Sequence, residues 1–352
     1  MLSRIKKKII TLAKRAIERR GHKSVFWARI YYCFLDPSFK REFYAALKGK
    51  LKHLSDIEHK QANYYLLTRN IHRIEKGLLM KTRKPVFAKD YIQETIESFE
   101  LIYKEAENNA NQQVKWFHDV LENYFSACAP DPHIDIFRTR FNSITQNYPL
   151  SVNHHDLDRK YVPYKRVLNG ERSSAISYRD FYILSKQRRS VRWFTDQPVP
   201  RDLIDQAILA AIEAPSACNR QPFEFRVIDD PEMVHRVASI PMGTKGYAEN
   251  IPVLVVVVGN LDAYFDERDR HVIYIDSSLA SMAFMYALET LGLSSCAINW
   301  PDIEVKEKQM EKVLKLDKYQ RPIMCIAVGY PDVEERVAYS AKRPIEMIRK
   351  YN

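Results

Sequence analysis

Gln187-Arg188-Arg189-Ser190-Val191-Arg192-Trp193-Phe194 decides how the rest of this chain is read. Three arginines surround one hydroxyl within five positions, and an aromatic pair follows. Planar guanidinium forks match phosphate oxygens, so the cluster reads as a phosphate cradle. The plainer reading is a solvated basic turn at a helix end. Upstream, a polar start at Asp180 and the apolar Phe181, Ile183 and Leu184 predict a short helix over 180–189 that delivers the cluster at its C-terminal end.

Downstream, Pro198-Val199-Pro200 resets the chain, and Ile204, Ala207, Ile208, Ala211 and Ile212 predict a helix over 202–213. The run Ala214-Pro215-Ser216-Ala217-Cys218-Asn219-Arg220-Gln221-Pro222 reads as a loop, and 223–228 alternates like a half-buried strand. A polar helix over 231–239, a glycine-containing loop over 242–250 and a buried strand over 253–258 come next. The helix expected at 274–291 is apolar on nearly all sides and rich in small residues, so it faces a core or a second subunit. Ser295 to Pro301 reads as a loop, 303–316 as a charged helix and 323–328 as a strand. The tail returns basic residues at Lys342-Arg343-Pro344. From 178 to 352 the pattern is α+β, with too few strands for a nucleotide-binding Rossmann unit.

Composition narrows the options. Nine glycines in 352 residues, with no GxGxxG or GxxxxGK[ST], mean that any nucleotide must be held by side chains. The net charge of +11 sits entirely in residues 1–60, which hold 16 Lys/Arg against 5 Asp/Glu, while the remainder balances at 39 against 39. A nucleic-acid partner, which wants a basic face on the main domain, is disfavoured. Five scattered cysteines without CxxC spacing suggest neither a disulfide framework nor a metal site, and point to a reducing compartment. The longest apolar run, 251–258, has the length of a strand rather than a membrane span. A soluble, cytoplasmic protein is expected, with a peripheral membrane contact as the variant.

Residues 2–20 read as a cationic amphipathic helix that lies on an anionic surface or docks its narrow stripe on its own protein. Helical patterning continues to about residue 126, giving an all-helical N-terminal region, 1–126. Gly77 stands where a helix C-cap would sit, and His72, Arg73 and Glu75 read as a helix-end salt-bridge cluster. Residues 127–177 read as a connector, with His154-His155-Asp156-Leu157-Asp158 on a surface loop.

Four segments in order, RRSVRWF, APSACNRQPFEF, LETLGLSSCAINWP and IAVGYP with its trailing KRPIE, make residues 178–352 resemble the nitroreductase family of FMN-dependent oxidoreductases. The resemblance implies an α+β sheet-and-helix fold that dimerises through long helices, with FMN at each subunit interface. It implies that Arg188 and Ser190 hold the FMN phosphate, with Lys342 or Arg343 arriving from the tail. Arg192 would lie beside the N1/O2 edge of the ring, where a cation stabilises reduced flavin. Arg189 joins the basic cluster without a defined role. Pro215, Ser216, Asn219 and Gln221 would line the ring and ribityl chain. Asn299 and Trp300 occupy positions whose backbone N–H groups approach flavin N5. Trp300 departs from the small residue usual there; its ring either narrows the pocket or tilts into the core. The implied chemistry is ping-pong hydride transfer from NADH or NADPH to a small electron-poor acceptor. Two alternatives stand beside it: a flavin dehydrogenase or oxidase of the same fold acting on a peptide or other specialised substrate, and a basic helical adaptor whose flavin domain does not turn over.

Overall fold

The computed structural model describes residues 15–21, 24–105, 112–149, 160–165 and 174–351. Much of the 2–20 helix and the His154–Asp158 run therefore lie outside the described residues. A four-stranded antiparallel sheet, in the order β1-β2-β4-β3, organises the second half: β1 (Phe223–Ile228), β2 (Val253–Asn260), β3 (Ser294–Asn299) and β4 (Gln320–Gly329). Strand β2 is buried along its whole length. Its side chains alternate between two cores, with Val253, Val255 and Val257 in one and Leu254, Val256 and Val258 in the other. A bulge between Val257 and Val258 admits Ile323 and accommodates Pro322, which has no N–H for a regular ladder.

Before the sheet come α1 (Lys40–Glu58), α2 (Tyr64–Leu78), α3 (Ile92–Glu105), α4 (Gln112–Ala127), α5 (Pro132–Asn147), α6 (Tyr178–Gln187) and α7 (Arg201–Ala211). Helix α8 (Pro231–Ala238) follows β1, α9 (Val272–Thr290) follows β2 and α10 (Glu304–Leu314) follows β3. Helices α7 and α9 cover one face of the sheet, and α8 and α10 the other. Helices α2 to α5 bury a separate core around Phe99, Phe117, Tyr124 and Ile134.

Three expectations change. Residues 132–147, read as connector, form α5, which Asp131 caps by accepting from the His133 and Ile134 N–H groups and whose Ile134, Phe137, Phe141 and Ile144 complete the helical core. Residues 295–299, read as loop, form the edge strand β3; its short apolar alternation was masked by the small residues around it. Gly77 lies inside α2, which runs on to Leu78, and a Cβ there would strike the Phe87 ring, so close packing rather than capping explains it. The His72–Glu75 pair, 3.5 Å apart, does form, and Trp116 Nε1 donates to the same carboxylate at 2.9 Å.

Helix α1 joins the two halves. Its small and polar residues, Ala45, Gly49, His53 and Asp56, are buried, whereas Phe43, Leu47, Leu51 and Leu54 are exposed. Gly49 is required because a Cβ would sit 2.5 Å from the Leu261 carbonyl carbon. His53 Nδ1 donates to the Asp262 carbonyl at 2.8 Å, tying α1 to the turn after β2.

Candidate active site

The Gln187–Phe194 stretch leaves α6 as an extended segment along the sheet edge. Val191 N–H donates to the Ser295 carbonyl at 3.1 Å, Thr195 N–H to Tyr330 at 2.9 Å and Asp332 N–H to Trp193 at 3.0 Å. Asn250 clamps Phe194 from both sides: its Oδ1 accepts from the Phe194 N–H at 2.6 Å and its Nδ2 donates to the Phe194 carbonyl at 3.0 Å. Val191 and Phe194 turn into the core, so Arg188, Ser190 and Arg192 are held on a braced backbone.

Among the described residues Arg188, Arg189, Arg192, Lys342 and Arg343 form no salt bridge. The carboxylate that Arg188 influences is Glu289 of α9, a group whose pKa is raised mainly by burial and which accepts from Ser294 at 3.3 Å. Arg189 Nη1 donates to the Arg188 carbonyl at 2.9 Å, so it braces the turn instead of meeting a surface carboxylate. The Arg192 guanidinium carbon lies 5.9 Å from the centre of the Tyr247 ring. Lys342 and Arg343 stand on an exposed tail, where Arg343 donates to the Met347 carbonyl at 3.3 Å.

The second element is the loop after α7. Cys218, Asn219 and Gln221 have φ of 55°, 56° and 49°, three left-handed residues in four positions. None is glycine, so each carries steric cost, which the surrounding contacts must offset. Ser216 Oγ accepts from the Gln221 N–H at 3.1 Å, Gln221 Nε2 donates to Asn219 Oδ1 at 3.4 Å, and the buried carboxylate of Asp276 in α9 accepts from the Ala217 N–H at 3.0 Å. Pro215 is exposed at the loop's entry.

Within one chain these two elements do not meet. The loop rests on Asp276, one turn into α9, while Arg188 faces Glu289 near its other end. Thirteen residues of helix separate them, about 20 Å at 1.5 Å per residue. Between the two ends, α9 exposes Ile275 and Leu279, and α7 exposes Leu209.

On β3, Cys296 and Ile298 enter one core, so Ala297 and Asn299 point to the opposite face, where both are exposed. Trp300 goes the other way. Its ring is buried, and Nε1 donates to Glu307 Oε1 at 2.7 Å, while Arg321 Nη2 donates to the same atom at 3.1 Å. Of the two readings of its ring, the structure shows the second: the indole tilts into the core. Cys296 is buried and Cys218 half-buried. Sequence reasoning also missed Asp276, whose place inside an apolar helical run carries no signal of the loop it supports.

The sequence profile of the nitroreductase family matches residues 185–244 and 233–330, leaving the helical half outside. The iodotyrosine deiodinase of Danio rerio is 36% identical over 205 residues, spanning 50% of this chain and 68% of that protein. Iodotyrosine deiodinase 1 of Sus scrofa is 26% identical over 221 residues, spanning 54% and 74%. An FMN-dependent nitroreductase from Clostridium difficile R20291 superposes with a TM-score of 0.41 at 25% identity, covering 48% of this chain and 98% of its own. The chain belongs to the nitroreductase family. Among the described residues no helix is long and apolar enough to cross a membrane.

Proposed function

We propose that this protein is an FMN-dependent oxidoreductase that takes reducing equivalents from NADH or NADPH and passes them to a small electron-poor acceptor of the nitro or quinone kind. The observation that supports it best is the pair Arg188 and Arg192, neither in a salt bridge among the described residues, set with the Ser190 hydroxyl on a braced edge segment. Cations without carboxylates fit a phosphate and an electron-rich ring. When bound, FMN supplies a ring that accepts and returns hydride. The chain's own part is to hold the phosphate with Arg188, Ser190 and a tail cation, and to place the Arg192 charge where negative charge develops. Asn299 ends β3 and Trp300 follows it with its ring anchored on Glu307, so any donation by their backbone N–H groups starts from an ordered backbone.

A homodimer would bridge the separation along α9. A two-fold pairing of α9 through the exposed Ile275 and Leu279 would set the loop of Pro215, Ser216, Asn219 and Gln221 in one copy beside the Arg188 edge of a second. Such a homodimer would carry two composite flavin sites. Likeness to an iodotyrosine deiodinase favours a second reading, in which a halogenated aromatic is the acceptor and halide is released. Contact of residues 2–20 with an anionic surface is a separate proposal, read by liposome sedimentation with and without them.

The test is spectroscopic. Purified protein should be yellow, bleach anaerobically with NADH or NADPH, and recover colour with menadione, nitrofurazone or 3-iodotyrosine according to its acceptor class. Colourless protein that takes up no FMN would refute the reading. Yellow protein that neither nucleotide bleaches would shift it to the adaptor or to a donor other than nicotinamide.

A further inference from the structure

Behind the 215–221 loop, the helical half contributes a cluster of its own. Helix α2 packs on the 217–219 turn and brings Arg69 there, α1 brings His53, and the chain after β2 brings Tyr264 and Phe265. The two adjacent rings each carry a guanidinium: Arg220 lies 4.9 Å from the Tyr264 centre and Arg69 lies 4.7 Å from the Phe265 centre. The His53 ring is 6.2 Å from that of Phe265. Arg220 is only 7% exposed, and its Nε, the Tyr264 hydroxyl and His53 Nε2 are buried without a hydrogen-bond partner among the described residues.

The local charge is unbalanced. Neither Arg69 nor Arg220 forms a salt bridge among the described residues. The carboxylates within electrostatic reach of the cluster are engaged elsewhere: Glu94 accepts from Asn70 at 2.8 Å, Asp276 from the Ala217 N–H, Asp56 pairs with Lys52 at 2.6 Å and Asp269 with Arg268 at 3.7 Å. The imidazole of His53 is held below its ordinary range by burial first, with Arg220 and Arg69 adding to it. The Arg69 guanidinium is lowered in the same way, by burial and then by Arg73 and Arg220. Buried guanidiniums whose nearby carboxylates hydrogen-bond elsewhere gain when an anion joins them directly.

We infer that Arg69, Arg220 and the Tyr264 hydroxyl form an oxyanion-binding site at the seam between the helical half and the 215–221 loop, taking a carboxylate or phosphate group of a ligand that reaches that loop. This rests on the flavin reading only for what the ligand then does. Two sources share the chemistry: the carboxylate of an aromatic acceptor and a phosphate of the nicotinamide dinucleotide. Arg69 belongs to the half that the family profile does not cover, so the site is this chain's addition to the common domain.

Calorimetric titration of FMN-loaded, full-length protein with benzoate, benzyl alcohol and inorganic phosphate tests this. At least one of the two anions should bind and the neutral alcohol should not. Arg69→Gln should weaken anion binding about tenfold or more, the loss expected for a charge-assisted hydrogen bond. Its circular dichroism and FMN content should match the parent, and Arg69→Lys should recover part of the affinity. Benzoate alone binding assigns the site to an acceptor carboxylate; phosphate alone binding assigns it to the dinucleotide. No anion binding, or equal binding by Arg69→Gln, overturns the inference. If the protein takes up no FMN the flavin reading fails on its own, while benzoate titrated against the parent and Arg69→Gln still reads the seam.

Discussion

Mixing two damaged subunits should restore intact flavin sites. If each site joins the Arg188 edge of one chain to the Asn219 loop of another, Arg188→Ala and Asn219→Val damage different halves of it. Arg188→Ala removes a charge-assisted bond to phosphate, about 1.5–3 kcal/mol, or roughly 10- to 150-fold in FMN affinity. Asn219→Val puts a β-branched residue at φ 56°, costing about 1–2 kcal/mol locally, and removes the acceptor for Gln221 Nε2. Random pairing gives about half heterodimers, and each heterodimer holds one undamaged and one doubly damaged site, so about a quarter of all sites are undamaged. The two variants would be co-expressed with different tags, isolated together, and titrated with FMN at concentrations between the parent and variant dissociation constants. The heterodimer, selected by both tags, should bind tightly at about half its sites. Tight binding no greater than that of either variant alone would refute the composite site and return both elements to one chain.

Trp300→Phe should destabilise the fold by about 1.5–3 kcal/mol in urea, because Glu307 loses an indole donor inside the core. It should leave acceptor KM unchanged; an altered KM without a stability change would place the ring at the pocket. Asp262 is pushed up to about 7, chiefly by burial, and one of its oxygens has no partner among the described residues. Its folded pKa lies above its unfolded value of 3.8, so the folded state holds the extra proton between those values. The associated stability is greatest in acid and is lost as pH rises toward 7, with a slope approaching about 1.4 kcal/mol per pH unit. Asp262→Asn should flatten that slope in urea melts between pH 5 and 7; an unchanged slope would place the titrating group elsewhere.

Local patterning was a good guide to the second half. The unbroken apolar run at 253–258 and the small-residue apolar helix after it are local signals, and both elements formed with shifted ends. The helical half was legible as helices but not as an assembly. Residues 132–147 looked like connector because Pro130 and Pro132 break the preceding pattern, yet Pro132 takes the first-turn position where its missing N–H costs nothing. Strand β3 was hidden because Ser295 and Ala297 are small and the stretch ends in Asn299-Trp300-Pro301.

The opening stretch shows where sequence stops. Sequence alone determined that Arg188, Ser190 and Arg192 form a basic cluster after a short helix, that no glycine-rich loop supplements it, and that the chain resembles one family. Those are properties of residue type and order. Only the tertiary structure decided that Arg189 braces the backbone, that Trp300 turns inward to Glu307, and that Asn219 lies a helix length from Arg188. Side-chain direction and the distance between remote segments depend on which face of β3 and which end of α9 each residue meets, and neither is written in local periodicity.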